Sequence, residues 1–170
     1  ISVVPLEVRL PGAPEANAGH LSSAQFWEAM AAADGLAATA APSPGAFREA
    51  FVAARDEGYE GVCCVTISSR LSATCQSART GALELDGFPV HVVDTRLATM
   101  AEGLLALEAA ERVASGVTLD ELADGLEASI DSFGVFGALD TLENLRRGGR
   151  IGSAQAFFGG LLSIKPIVEV

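Results

Sequence analysis

The sequence predicts an α/β protein: an open, mostly parallel sheet with helices on both faces. Short apolar stretches alternate along the chain with longer segments in which apolar residues recur at helical spacing. Two of the short stretches, residues 62–65 and 90–93, are almost continuously apolar, which is typical of strands buried on both faces. Right-handed crossovers between such strands place helices on both sides of the sheet.

Helix start signals support this order of elements. Ser22 and Thr118 each stand three positions before a Gln or Glu, a spacing that predicts a capping box. Ser43 followed by Pro44 predicts an N-cap and a first helical residue. We expect strands over about 1–10, 61–67, 90–93 and 133–139, a loop over 11–21, and helices over about 23–33, 44–54, 71–82, 98–115, 118–130 and 142–147.

The length of 170 residues is enough for one well-packed domain and the beginning of another. We expect residues 1–152 to form the α/β domain and residues 153–170 to start a C-terminal α+β domain that is mostly absent from this chain. The chain opens on Ile1 without Met, and its last residues have the pattern of a strand just begun. We therefore expect it to be part of a longer protein.

Composition excludes several classes of function. The net charge of −11 opposes approach to nucleic acids and to anionic membrane surfaces. No stretch reaches the roughly 18 apolar residues of a membrane span, and no basic-then-apolar leader is present. Cys63, Cys64 and Cys75 form no CxxC pair, and we expect small buried hydrophobes, not zinc ligands or disulfides. The prediction is a soluble, cytoplasmic protein without stable membrane insertion.

Residues 66–74 follow a buried strand and are rich in hydroxyls. A strand that leads into a helix presents unpaired backbone N–H groups and the positive end of the helix dipole, which attract a carboxylate or phosphate. The alternative is that Ser69 is only a helix N-cap. Ligands of parallel sheets bind at the carboxyl ends of the strands. At this edge we expect the following residues to gather: Thr39, Ser68, Ser69, Asp94 and Thr95.

A second group of candidate residues surrounds a glycine pair at 148–149. Guanidinium groups bind carboxylate and phosphate oxygens in bidentate fashion, and glycines let the backbone approach a ligand. Arg146 and Arg147 are explained by the end of a helix, where cations balance the dipole. Arg150 lies after that end and needs another explanation.

Nucleotide and hydrolase signatures are missing. The sequence has neither GxGxxG nor GxxxxGK[ST], nor the GxSxG of many serine hydrolases. Its only histidines are His20, in a predicted loop, and His91, within a strand. An α/β enzyme that uses Ser69 as nucleophile is an open alternative, but no adjacent base is evident. We predict no catalytic residue, no metal site and no cofactor.

Four segments together resemble the DegV family of bacterial fatty-acid-binding proteins. They are residues 39–47 (TAAPSPGAF), 66–78 (TISSRLSATCQSA), 93–95 (VDT) and 139–168 (LDTLENLRRGGRIGSAQAFFGGLLSIKPIV). The resemblance implies one bound long-chain fatty acid, with its tail in a tunnel between two domains and its carboxylate held by hydroxyls. It also implies a partner, a separate dihydroxyacetone-kinase-like fatty acid kinase that phosphorylates the presented carboxylate to an acyl phosphate.

Carried over by position, the resemblance implies that Thr39, Ser68 and Ser69 bind the carboxylate and that Arg150 contacts the phosphoryl group or the partner. Residues 157–162 fit a tunnel lining as readily as a core. The resemblance makes the protein the substrate-presenting subunit of a kinase in phospholipid metabolism, not itself an enzyme.

This chain departs from the family pattern next to Thr39. Where the family has Ser and Gln, the chain has Ala40 and Ala41, which removes one hydroxyl and leaves the site poorer in donors. A binding module for another small anion, such as a phosphorylated metabolite, therefore stays open as an alternative.

Overall fold

The computed structural model describes residues 1–17, 19, 21–152 and 165–169. These residues form two compact units: residues 1–4 and 41–135 make the first, and residues 5–40 and 136–169 the second. The predicted division of the full-length protein at residue 152 stays a prediction.

Strands and helices alternate through most of the described chain. The strands are β1 (Glu7–Leu10), β2 (Ala13–Asn17), β3 (Ala38–Ala40), β4 (Val62–Thr66), β5 (Val90–Asp94), β6 (Phe136–Ala138) and β7 (Ile167–Glu169). The helices are α1 (Ser23–Ala32), α2 (Pro44–Asp56), α3 (Thr74–Ala82), α4 (Thr99–Ala114), α5 (Leu119–Ile130) and α6 (Glu143–Arg147). The predicted α/β class is confirmed.

The first unit is built on the parallel pair β4 and β5, in register from Val62 opposite Val90 to Thr66 opposite Asp94. Side chains alternate between the two faces of this sheet. On one face, strand residues pack with α4 and α5 around Leu105, Leu122 and Leu126. On the other, they pack with α2 and α3 around Phe47, Phe51 and Ala78. Helices therefore cover both faces, as predicted.

The adjacent cysteines of β4 show the same alternation. Cys63 packs against the α4 and α5 side, and Cys64 packs against the α2 and α3 side. Both carry free thiols, as does the buried Cys75 of α3. Burial raises the pKa of Cys63 to about 11 and that of Cys64 to about 12. The predicted burial therefore holds fully for Cys75, whereas Cys63 and Cys64 are partly buried.

The second unit contains antiparallel strands. β1 pairs with β2 on one side and with β3 on the other, and β6 pairs with β7. The expected loop over residues 11–21 is wrong, because β2 occupies Ala13–Asn17. Gly12, at φ +80°, makes the turn between β1 and β2, and an edge strand tolerates the missing N–H of Pro14.

The predicted capping boxes are present. The Ser22 hydroxyl accepts from the N–H of Gln25 at 3.3 Å, and the Gln25 side chain accepts from the N–H of Ser22 at 3.0 Å. Thr118 and Glu121 make the same exchange at the start of α5. The described helices include none long and apolar enough to cross a membrane.

Candidate functional site

The carboxyl ends of β4 and β5 lie side by side because the two strands are parallel and in register. This places the loop after β4, which carries Ser68 and Ser69, beside the loop after β5, which begins at Thr95. The Ser68 N–H donates to the carbonyl oxygen of Leu97 at 2.8 Å. The Ser69 N–H donates to Asp94 Oδ1 at 3.0 Å. The structure therefore brings four of the five expected residues together in the first unit.

Two hydroxyls at this edge are used inside the fold. The Thr95 hydroxyl donates to the carbonyl oxygen of Thr66 at 2.8 Å, and the Thr66 hydroxyl donates to the carbonyl oxygen of Val93 at 3.1 Å. Both threonines are almost completely buried, with 0% and 1% of their surface exposed. Their hydroxyls therefore hold the strand ends together and are not available to a ligand.

Ser68 is the centre of a tight turn. Its carbonyl oxygen accepts from the N–H groups of Leu71, at 3.0 Å, and Ser72, at 3.1 Å. Its hydroxyl oxygen accepts from the N–H of Arg70 at 3.3 Å. Only 2% of the residue is exposed, and no residue that the structure describes accepts its hydroxyl hydrogen. Ser68 thus keeps one hydrogen-bond donor at the sheet edge.

Ser69 is not a helix N-cap, so that alternative is wrong. Helix α3 begins only at Thr74, and its N-cap is Ala73, which makes no side-chain cap bond. The turn around Ser68 comes first, and the Ser72 hydroxyl accepts from the N–H of Thr74 at 3.3 Å. Because this turn takes up the residues after β4, the helix starts later than the sequence pattern predicts.

Asp94 is the acidic group of this edge. Burial tends to raise its pKa, but bonds from the Ser69 hydroxyl, the Ser69 N–H and the Arg96 N–H, with the charge of Arg79, lower the pKa below its ordinary value. The distance from Arg96 N to Asp94 Oδ1 is 3.2 Å. The carboxylate is therefore ionised at neutral pH.

Sequence reasoning placed Asp94 at this edge but gave it no role. The available signal was its position as the last residue of a strand whose parallel neighbour leads into the serine-rich turn. Nothing in the sequence indicated the left-handed backbone of two non-glycine residues, Arg96 (φ 57°) in the loop that follows and Thr99 (φ 60°) at the first position of α4.

Thr39 and Arg150 belong to the second unit. Thr39 is the exposed middle residue of β3 and lies opposite Val8 of β1. Arg150 follows α6, donates from Nη1 to the carbonyl oxygen of Gly148 at 2.6 Å, and is exposed. Gly149 precedes it at φ +74°, a conformation that favours glycine.

Arg146 lies in the last turn of α6, the position in which the sequence predicts that it balances the helix dipole. Its guanidinium pairs with the Glu143 carboxylate at 2.6 Å within α6. This ion pair lowers the pKa of Glu143.

His91 lies within β5, and its imidazole contacts an acidic side chain. Its Nε2 lies 2.9 Å from Asp120 Oδ1, at the start of α5, and Cys63 is its register partner in β4. His20 and the candidate tunnel residues 157–162 lie outside the described residues. Across the part of the chain that the structure describes, no three metal-ligating side chains come together.

Comparison with known proteins gives one consistent result. The family model for uncharacterised proteins of the DegV family matches residues 1–170. A DegV domain-containing protein of Listeria innocua is 34% identical over 169 residues, and one of Deinococcus radiodurans is 38% identical over 170 residues. These alignments cover 99% and 100% of this chain. The chain spans 60% of the length of each of these curated relatives.

Solved structures agree with these relatives. A fatty-acid-binding DegV family protein from Thermus thermophilus is 36% identical with a TM-score of 0.84, and the match covers 98% of this chain and 59% of that one. DegV of Bacillus subtilis, a fatty acid binding protein, is 30% identical with a TM-score of 0.84, covering 97% and 58%. The chain belongs to the DegV family.

Proposed function

We propose that this protein binds one long-chain fatty acid, with the carboxylate at Thr39, Ser68 and Ser69 and the tail in a tunnel between two domains. The observation that carries the proposal is the Ser68 hydroxyl, which is buried at the carboxyl edge of the sheet with its hydrogen uncommitted among the described residues. Fatty acid binding by the related Thermus and Bacillus proteins supports the same ligand.

The tail supplies affinity and the head group supplies orientation. Each buried methylene contributes about 0.8 kcal/mol, so a long acyl chain contributes on the order of 10 kcal/mol before the costs of binding. A buried hydroxyl that donates to a carboxylate adds a charge-assisted hydrogen bond. In this proposal residues from 153 onward and the remainder of the full-length protein complete the tunnel.

The bound carboxylate is presented to a separate dihydroxyacetone-kinase-like kinase in the cytoplasm, which forms the acyl phosphate. In this role Arg150 contacts the phosphoryl group or the kinase. Arg150 is exposed, and its guanidinium is held near the end of α6 by a hydrogen bond to the Gly148 carbonyl oxygen. The protein then acts in phospholipid metabolism as a carrier subunit without catalytic residues.

The charge on Asp94 favours a carboxylate over a phosphate as the ligand. The carboxylate of Asp94 contacts Ser69, so a dianion at the same hydroxyls meets stronger repulsion than a monoanion. This argues against the alternative of a phosphorylated metabolite, although Ala40 and Ala41 leave fewer donors near Thr39. A serine hydrolase is disfavoured too, because the group beside Ser69 is a carboxylate and not an imidazole.

The test uses the full-length protein, purified, denatured and extracted with organic solvent. Mass spectrometry of the extract should detect a long-chain fatty acid in near-stoichiometric amount, and the delipidated protein should take up palmitate. Adding the cognate kinase and ATP should then yield acyl phosphate. Absence of both copurified lipid and palmitate uptake would contradict the proposal; uptake without phosphorylation would contradict only the kinase role.

A further inference from the structure

Asp94 connects the two loops of the candidate site. Its Oδ1 atom accepts from two backbone N–H groups, that of Ser69 at 3.0 Å and that of Arg96 at 3.2 Å. The first donor lies in the loop after β4, and the second lies in the loop after β5. A single carboxylate oxygen therefore fixes the relative position of both loops.

The donor from the second loop has an unusual conformation. Arg96 adopts φ 57°, which costs free energy for a residue with a Cβ. Besides its N–H bond to Asp94, its Nη2 atom donates to Asp131 Oδ1 at 2.7 Å. Such strain persists where surrounding contacts over-determine the backbone, and it concentrates at ligand sites.

The other loop is held by the same group. The Ser69 N–H is the first peptide donor after Ser68, so its bond to Asp94 sets the orientation of the Ser68–Ser69 peptide. The Ser68 N–H donates to the Leu97 carbonyl oxygen, so the N–H groups of both serines are bonded to residues at and after the end of β5. The direction of the Ser68 hydroxyl depends on that anchoring.

We propose that Asp94 is a positioning residue of the head-group site, which orients the Ser68–Ser69 peptide so that the Ser68 hydroxyl recognises a carboxylate. The inference rests on the proposed function. Asp94 itself does not bind the ligand carboxylate, since two like charges repel. It acts on head-group recognition and leaves the tail site unchanged.

The experiment compares a fatty acid with its ester in the full-length protein. Displacement of a fluorescent fatty acid by palmitate and by methyl palmitate gives the two dissociation constants, and their ratio measures head-group recognition. In the wild type we expect palmitate to bind at least about tenfold more tightly, the equivalent of one charge-assisted hydrogen bond. In Asp94→Ala we expect the ratio to fall below about threefold, with methyl palmitate affinity unchanged.

Two further variants make the result specific. Asp94→Asn keeps an oxygen that accepts both N–H groups, so it should retain the wild-type ratio. Asp86→Ala removes an exposed carboxylate elsewhere in the first unit and should also retain it. If Asp94→Ala does not fold, Asp94→Glu replaces it in the test. Its carboxylate oxygen is displaced by one methylene, so this variant should lower the ratio of the two dissociation constants by at least about threefold.

The outcomes separate the two proposals. A wild type that binds neither ligand overturns the proposed function. A wild type that prefers palmitate, together with Asp94→Ala or Asp94→Glu variants that keep the same preference, overturns the role of Asp94 alone. An equal loss of affinity for acid and ester also overturns it, because that result indicates a general structural role.

Discussion

The side chain of Thr95 donates to the backbone carbonyl oxygen of Thr66 at 2.8 Å, joining the ends of β4 and β5. The Thr95 N–H reaches the same oxygen at 3.2 Å, and the Thr95 hydroxyl accepts from the N–H of Leu97 at 3.1 Å. One buried hydroxyl is thus both donor and acceptor. The hydroxyls of this edge therefore divide into those that build the site and those that can face a ligand.

Replacing Thr95 with Val should destabilise the fold. The variant keeps the shape of the side chain but leaves the Leu97 N–H without its acceptor in a region where Thr95 is fully buried. We expect a loss of about 1–3 kcal/mol in the free energy of unfolding, measured by urea denaturation. Thr80→Val, at a partly exposed site in α3, is the matched control and should stay within about 0.5 kcal/mol. Equal stability of the two variants would contradict a structural role for the Thr95 hydroxyl.

The two serines of the turn should differ in their effect on ligand binding. Ser68 is buried and none of the described residues accepts its hydroxyl hydrogen, whereas Ser69 is exposed and donates its N–H to Asp94. We expect Ser68→Ala to weaken palmitate binding by about tenfold or more and Ser69→Ala by less than about fivefold. Displacement of a fluorescent fatty acid measures both.

The control for this comparison is Ser115→Ala, which removes an exposed hydroxyl bonded to the Arg112 carbonyl oxygen at the end of α4. It should bind palmitate as the wild type does. A larger loss from Ser69→Ala than from Ser68→Ala would show that the buried hydroxyl is not the main donor.

The sequence was sufficient for the parallel pair and for the capped helices α1, α2 and α5, since apolar runs and capping spacings act locally. It was not sufficient for β3. Residues Ala38–Ala40 have little intrinsic strand preference, and they are a strand because β1 lies alongside them. The role of Asp94 was hidden for a similar reason: it depends on a contact with Ser69, 25 residues earlier in the chain.

Two helix glycines, Gly81 of α3 and Gly125 of α5, should differ in how much stability the same substitution costs. A Cβ on Gly81 would lie 2.6 Å from the carbonyl oxygen of Pro44 and 3.1 Å from the N atom of Arg48, so α2 would have to move as a whole. A Cβ on Gly125 would meet only the guanidinium of Arg112, the mobile end of a long side chain.

We therefore expect Gly81→Ala to cost about 1–3 kcal/mol of unfolding free energy through overpacking. Gly125→Ala should stay within about 1 kcal/mol of the wild type, because the gain in helix propensity offsets a weakened ion pair of Arg112 with Glu108. Urea denaturation of both variants gives the comparison. A more costly change at Gly125 than at Gly81 would mean that the α2–α3 contact is looser than the structure shows.

The ionised form of Asp94 should contribute stability at neutral pH that is lost in acid. Its pKa in the folded protein lies below the ordinary value of 3.8, because hydrogen bonds from Ser69 and Arg96 outweigh the effect of burial. A group with a lowered pKa stabilises the fold above the pKa of the unfolded chain, and this stabilisation disappears as the pH falls toward the folded value.

Asp94→Asn has no such charge to lose. The wild type should therefore exceed Asp94→Asn in unfolding free energy at pH 6, and the difference should shrink at pH 3 in urea titrations of both proteins. A difference that is constant or grows between pH 6 and pH 3 would mean that Asp94 is not stabilised in its charged form. As the control, Asp86→Asn removes an exposed carboxylate outside the two loops, so a narrowing seen only with Asp94→Asn is assigned to Asp94 and its contacts with the two loops.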